Sequence, residues 1–186
     1  MNAGLKPSVV PHAVEVPTVR TPRLLLRPLR RSDAGLIALY TADRRLAENT
    51  RAIPHPLPPR ATEAWLAHAM SPESRASIWA IDGSGSALAE VLGVISLTPV
   101  VPGQCELEFW IGPGLWNSGF ATEAVEALVA ANPLGCRSLV AEVFQDNPGS
   151  ARVLTNCGFE YLGDAESWSV ARGARVPTWT YARTLA

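Results

Sequence analysis

The sharpest periodicity in the chain lies in CELEFWIG, residues 105–112. Cys105, Leu107, Phe109 and Ile111 alternate with Glu106, Glu108 and Trp110, the period of a strand with one buried face. Shorter apolar runs predict strands at 22–29 (PRLLLRPL), at 77–86 with a terminal Gly/Ser turn (SIWAIDGSGS), at 89–100 and at 137–144. FEYLGDAESWSV and RVPTWTYARTL predict a closing hairpin around Arg172 and Gly173. Helical spacing occurs in RRSDAGLIALYTADRRLAEN, where Ser32 is placed as N-cap and Leu36, Leu39 and Tyr40 share a face. It returns in EAWLAHAM (63–70), in the run after Gly119, and in NPGSARVLTNCGF, which Asn147 opens and Gly158 stops. Four prolines in TRAIPHPLPPRAT (50–62) exclude regular helix and predict a stiff extended loop.

The element order is β-α-α-β-β-β-α-β-α-β-β. A three-strand meander precedes a strand-helix-strand crossover, so the fold class is mixed α/β with helices on the sheet faces. Residues 1–20, with Pro7, Pro11, Pro17 and little periodicity, are expected to be an extended, partly disordered arm. A single domain is expected over 21–186.

Composition changes this picture little. Apolar residues make up 47% and charged residues 18% of the 186 positions, an ordinary globular balance. A formal charge of -1 gives no basic surface for nucleic acid, although Arg supplies every cation except Lys6. Cys105, Cys136 and Cys157 are odd in number and widely spaced, without a C-x-x-C pair. Reduced thiols, no metal site and no redox motif are therefore expected. The start has no apolar run of signal-peptide length, and no stretch reaches the ~18 apolar residues of a membrane span. A cytoplasmic protein with no membrane partner is expected.

The chemistry concentrates in FWIGPGLWNSGFATEAVEALVAAN, residues 109–132. A helix N-terminus presents unpaired N–H groups and a partial positive charge. Asn117, Ser118, Gly119, Phe120, Ala121 and Thr122 make that approach open enough for a phosphate. Neither G-x-x-x-x-G-K-[ST] nor G-x-G-x-x-G is present, so a phosphate cradle here belongs to another class. A Gly-rich turn with an ordinary cap is the other reading of the same residues.

A second segment chooses between them. DNPGSARVLTNCGFEYLG (146–163) resembles the N-x-x-S-x-x-x-L-x-x-x-G-F segment of the GNAT superfamily of N-acetyltransferases. WNSGFATEA resembles the coenzyme A loop of that superfamily in its W-[GN]-x-G-[FY]-A-T-E-A form, with ELEFWIG as the preceding strand. TPRLLLRPLRRSDA resembles the start of the RimJ/RimL-type branch, which contains ribosomal-protein N-terminal acetyltransferases. The likeness runs from Thr21 to Leu185. The chain departs from the superfamily pattern at Trp116 and Asn117, in ways that fit this branch. It departs again at Leu154, where many members carry the Tyr that reprotonates the leaving thiolate.

The resemblance implies one GNAT-like domain: a twisted, mostly antiparallel sheet of about seven strands with about four flanking helices. It implies acetyl transfer from acetyl-CoA, with no metal, to a primary amine in a ternary complex. The acceptor is a protein N-terminal alpha-amine or a small-molecule amine, and the protein a monomer or homodimer. Pyrophosphate is expected on the N–H groups of Asn117–Thr122, pantetheine along the strand at Trp110 and Ile111, and Trp116, Asn147 and Arg152 beside the cofactor. Glu106, ranked ahead of Glu108, is the expected base, and Ser150 the expected acid in place of the missing Tyr. Each of these residues also has a plain structural role open to it: a solvent-facing strand carboxylate, an N-cap, a first-turn serine. Glu123 is read as helix support and His55 as a surface histidine. A catalytically silent acyl-CoA-binding module is the alternative of a different class, and a nucleotide-binding protein unrelated to CoA a third.

Overall fold

The protein is described by a computed structural model over residues 16–185. An eight-stranded sheet forms its middle: β1 (Val19–Arg20), β2 (Leu25–Pro28), β3 (Ser77–Asp82), β4 (Gly93–Val101), β5 (Gln104–Ile111), β6 (Ser138–Phe144), β7 (Glu160–Ser169) and β8 (Ala174–Thr184). Five helices join them: α1 (Ala34–Thr41), α2 (Arg44–Ala47), α3 (Ala61–Ala69), α4 (Phe120–Ala131) and α5 (Pro148–Asn156). The spatial order is β1-β2-β3-β4-β5-β6-β8-β7, and every neighbouring pair is antiparallel except β5–β6. The mixed α/β, mostly antiparallel architecture expected from the sequence is the one observed. The arm expected at 1–20 lies outside the described residues as far as 15; of its remainder, Val19–Arg20 adds the short β1 to the sheet.

Alternation along β5 places its residues as expected. Cys105, Leu107 and Ile111 are buried on the face covered by α4 and α5, while Glu108 is exposed on the other. The apolar stripe of α4 (Phe120, Ala124, Val125, Leu128 and Val129) repeats every three to four residues and joins the same core. Each large side chain buried there contributes about 1.5–3 kcal/mol. Asn132, in the left-handed region, ends α4, and its side chain exchanges two hydrogen bonds with the Cys136 backbone. A smaller apolar cluster on the opposite face (Leu29, Ile37, Leu66, Ala80, Val91 and Val94) seats α1 and α3. Gly93 is required where β4 meets β5, since a Cβ there would lie 2.1 Å from the Trp110 carbonyl oxygen.

Three local expectations are corrected. Ser32 does not cap a helix. Arg31–Asp33 form a 3-10 turn, and the Asp33 carboxylate accepts the Arg30 N–H at 2.7 Å. On α1 the buried residues are Ile37 and Thr41, while Leu39 is 65% exposed, because the helix is short and only one turn faces the sheet. Reduced thiols were expected throughout, yet Cys105 and Cys136 form a disulfide with Cα atoms 6.3 Å apart. The β5–β6 register, Cys105 opposite Leu139, creates this proximity across 31 residues, which linear spacing does not show. Cys157 is free and buried, and burial pushes its thiol up to about 11.

Beneath α1, Arg27 is 1% exposed and lies between two buried carboxylates. It meets Asp33 through both Nη atoms (3.0 and 2.9 Å) and Asp82 through Nε (2.6 Å), and donates to the Pro28 and Glu90 carbonyls. This triad clamps β2, β3 and the turn before α1. A lone Arg in an apolar strand is the sequence signal that points to such a partner.

Candidate active site

The parallel strands β5 and β6 pair only at Gln104–Glu106 with Ser138–Val140. Beyond this, β5 stays with β4 as far as Ile111, and β6 stays with β8 as far as Phe144. The sheet therefore opens like a V, and two cavities meet at the opening. One, about 660 Å³, lies between the end of β5 and the N-termini of α4 and α5. The other, about 730 Å³, lies on the α1/α3 face of the sheet under the loop at 49–57. Asn49, Thr50, Phe109, Trp110, Asn147 and Ser150 line both.

All the residues expected to hold the cofactor line the first cavity: Trp110, Ile111, Trp116, Asn117, Ser118, Gly119, Phe120, Ala121, Thr122, Asn147 and Arg152. Asn117 (φ 60°) and Gly119 (φ 79°) turn the chain left-handed into α4. Among the described residues, no N–H group of Asn117–Thr122 donates to a protein acceptor; the first to do so is that of Glu123, to the Gly119 carbonyl. Such a row of free donors at a helix start suits a phosphate. The Trp116 indole N–H donates to the Ile111 carbonyl at 2.7 Å and folds the loop back on the strand end.

Glu123 supports this loop from behind. It accepts from the Thr21 hydroxyl, the Arg23 N–H and Arg23 Nε (2.6 Å), while Arg23 Nη1 reaches the Ser118 carbonyl. Burial works to raise the Glu123 carboxyl, but the bonds to Thr21 and Arg23 outweigh it and hold it below the usual range.

At the head of α5, Asn147 is an N-cap, its Oδ1 accepting the Ser150 N–H at 3.2 Å. Its Nδ2 also donates to Ser150 Oγ at 3.0 Å. An amide nitrogen only donates, so Ser150 Oγ accepts and keeps its own proton for another group. Leu154 is fully buried one turn on and offers no polar atom.

On the other side of the V, Arg51 gathers three carboxylates. Its Nη2 meets Glu106 and Glu108, each at 2.5 Å, and its Nη1 meets Glu142 at 3.1 Å. Glu142 also accepts the Thr178 hydroxyl. Burial lowers the Arg51 pKa, but Glu108 and then Glu106 outweigh it, so the guanidinium is held further above its ordinary value. The cluster sums to two negative charges. Glu108 and Glu142 line the cavity, and Glu106, ranked first from the sequence, does not. The turn after β7 fixes Arg51: Val170 N–H donates to its carbonyl, and Arg172 bonds both the Glu48 carbonyl and Asp146. His55, read as a surface histidine, is half-buried and lies outside the cavity lining. Sequence reasoning missed Arg51, Glu142 and Arg172. A single Glu amid the apolar run SLVAEVF was the one available signal.

An open sheet with free helix-start donors on one side of a cleft and a carboxylate cluster on the other has the layout of an acyl-transfer enzyme. The chain is an acetyltransferase: it belongs to the acetyltransferase (GNAT) domain family, whose model matches residues 23–160. It is 28% identical over 174 residues to the uncharacterized N-acetyltransferase YoaA of Bacillus subtilis (strain 168), covering 89% of this chain and 95% of the relative. Its fold is similar to that of RimL, a ribosomal L7/L12 alpha-N-protein acetyltransferase solved with coenzyme A. There the TM-score is 0.77 at 17% identity, with 91% of this chain and 98% of the other covered. It is also similar to spermidine N-acetyltransferase from Vibrio cholerae, solved with CoA and spermine (TM-score 0.73, 16% identity, 88% and 96% covered). No helix among the described residues is long and apolar enough to cross a membrane.

Proposed function

We propose that this acetyltransferase moves an acetyl group from acetyl-CoA directly to a primary amine, both substrates being bound at once, in the manner of the RimJ/RimL-type branch. The observation that carries this reading is the meeting of the two cavities at Asn147, Ser150, Phe109 and Trp110. Free N–H groups suit an anionic carrier on one side, and net negative charge suits an ammonium on the other.

In this reading the N–H groups of Asn117–Thr122 hold the pyrophosphate, and the open edge of β5 at Phe109–Ile111 receives the pantetheine arm. Acetyl-CoA supplies an activated thioester. Glu108, the carboxylate of the β5 pair that reaches the cavity, takes the ammonium proton directly or through a water. The amine nitrogen bonds the acetyl carbon as the carbon–sulfur bond breaks, and Ser150, whose oxygen accepts from Asn147, gives its proton to the departing sulfur and recovers one, through water, from the nitrogen that becomes the amide. Arg51 holds the carboxylates apart and in place.

Glu108→Gln is expected to lower kcat by about 10²–10⁴ with little change in the acetyl-CoA dissociation constant, the usual weight of a general base. Glu106→Gln, off the cavity, is expected to cost less than about tenfold, well under that weight. Steady-state kinetics with calorimetric titration checks both, and a larger loss at Glu106 reverses the assignment. The reading as a whole is tested by titrating the protein with acetyl-CoA against ATP, then following thiol release with an amine panel. Acetyl-CoA binding without transfer to any amine would make the chain a silent acyl-CoA-binding module.

A further inference from the structure

Resting on the reading above, we propose that the acceptor is a small primary amine with one positive charge and a bulky uncharged apolar body. The argument starts from how charge is distributed around the 730 Å³ cavity. Negative charge in excess sits at one place, where Glu108 and Glu142 face Arg51 near the junction with the cofactor cleft. An ammonium placed there is both neutralised and next to Ser150 and Asn147.

The remaining wall is different in kind. Ile37, Ile53, Leu57, Trp65, Ile78 and Val94 line it and carry no charge. Glu73 and Arg75 also belong to the lining, both exposed and of opposite charge. A polyamine would carry a second ammonium onto this apolar wall, where the carboxylate present, Glu73, is exposed and accompanied by Arg75 and so does little to compensate its lost hydration. A peptide would carry a further amide about every 3.5 Å, each needing a hydrogen-bond partner, and the scattered hydroxyls of Thr62, Ser96 and Thr98 on this wall pair with few of them. The space also lies between the sheet and a cover made by the 49–57 loop and α3. Its volume is that of a cleft that encloses a small molecule. An aryl or branched alkyl group satisfies the wall by removing apolar surface from water on both sides.

The test uses the full chain with saturating acetyl-CoA and follows thiol release with 2-phenylethylamine, ethylamine, spermidine and a six-residue peptide. We expect kcat/KM for 2-phenylethylamine to exceed that for each of the others by at least about tenfold, since even one methylene in an apolar pocket is worth that much. Trp65→Glu, which puts a carboxylate on the wall at a partly exposed site, is expected to lower this kcat/KM about tenfold. It should leave the KM for acetyl-CoA where it was. Spermidine or the peptide leading the series would overturn the inference and leave the acetyltransferase reading standing. An unaltered preference in Trp65→Glu would overturn the role of the wall. Acetyl-CoA binding with no thiol release for any amine would overturn both.

Discussion

Gly119→Asp is expected to weaken acetyl-CoA binding at least about 100-fold while the protein remains folded. The expected loss follows from position. Gly119 caps α4 with φ at +79°, in the middle of the row of N–H groups that runs from Asn117 to Thr122. A carboxylate there puts like charge where a phosphate would sit. Two unit charges about 4 Å apart repel by roughly 4 kcal/mol at the dielectric of a protein surface, about a thousandfold in affinity. Arg23 Nη2 would stand 3.3 Å from the new Cβ and offsets part of this, so about 100-fold is the lower bound. Left-handed backbone costs a non-glycine residue about 1–2 kcal/mol, a penalty Gly119→Ala shares. Calorimetric titration of both variants separates the two effects. Undiminished affinity in Gly119→Asp, with thermal unfolding showing a folded protein, would remove the loop from the cofactor site.

The largest stability effect is expected at Arg27. Arg27→Met leaves Asp33 and Asp82 buried without their cation, and breaking a buried ion network in this way costs about 3–5 kcal/mol. For a chain of this length that lowers Tm by about 6–20 °C. Differential scanning calorimetry reads it directly, and a loss below about 1 kcal/mol would mean the triad is replaceable by apolar packing.

Acid makes the same point. Burial works to raise the Asp82 carboxyl, but bonds from Ser84 and Arg27 outweigh it and hold it below the usual range. Its contribution is therefore present above the ordinary carboxylate pKa and is lost as pH falls through the lowered folded value. Arg27→Met removes part of that depression, so stability should fall less steeply with acid than in the parent. Replacing both carboxylates by Asn in the same variant should recover part of the lost Tm.

What could be read in advance was whatever neighbouring residues encode. The alternation of CELEFWIG, the stripe of α4, the Asn147 cap and the Gly158 stop (φ 73°) are all decided within a few residues. The loop at 116–122, with its left-handed turn and unpaired N–H groups, was legible for the same reason: a helix start is a contiguous piece of chain. Together with the segment at 146–163 these residues carry the family resemblance.

The carboxylate cluster was not legible, because its members are far apart in sequence. Arg51 lies 55, 57 and 91 residues from Glu106, Glu108 and Glu142. Of two glutamates on one strand face the sequence ranked Glu106 first; only the loop laid over the sheet made Glu108 line the cavity and left Glu106 outside its lining. The Cys105–Cys136 disulfide and the Arg27 triad were hidden for the same reason. By itself, the sequence determined the elements, the family and the open turn that starts α4, since short-range backbone preference and contiguous motif need no partner. Strand register, the V between β5 and β6 and the charge on each side of it were decided only in three dimensions, where distant side chains first share a surface.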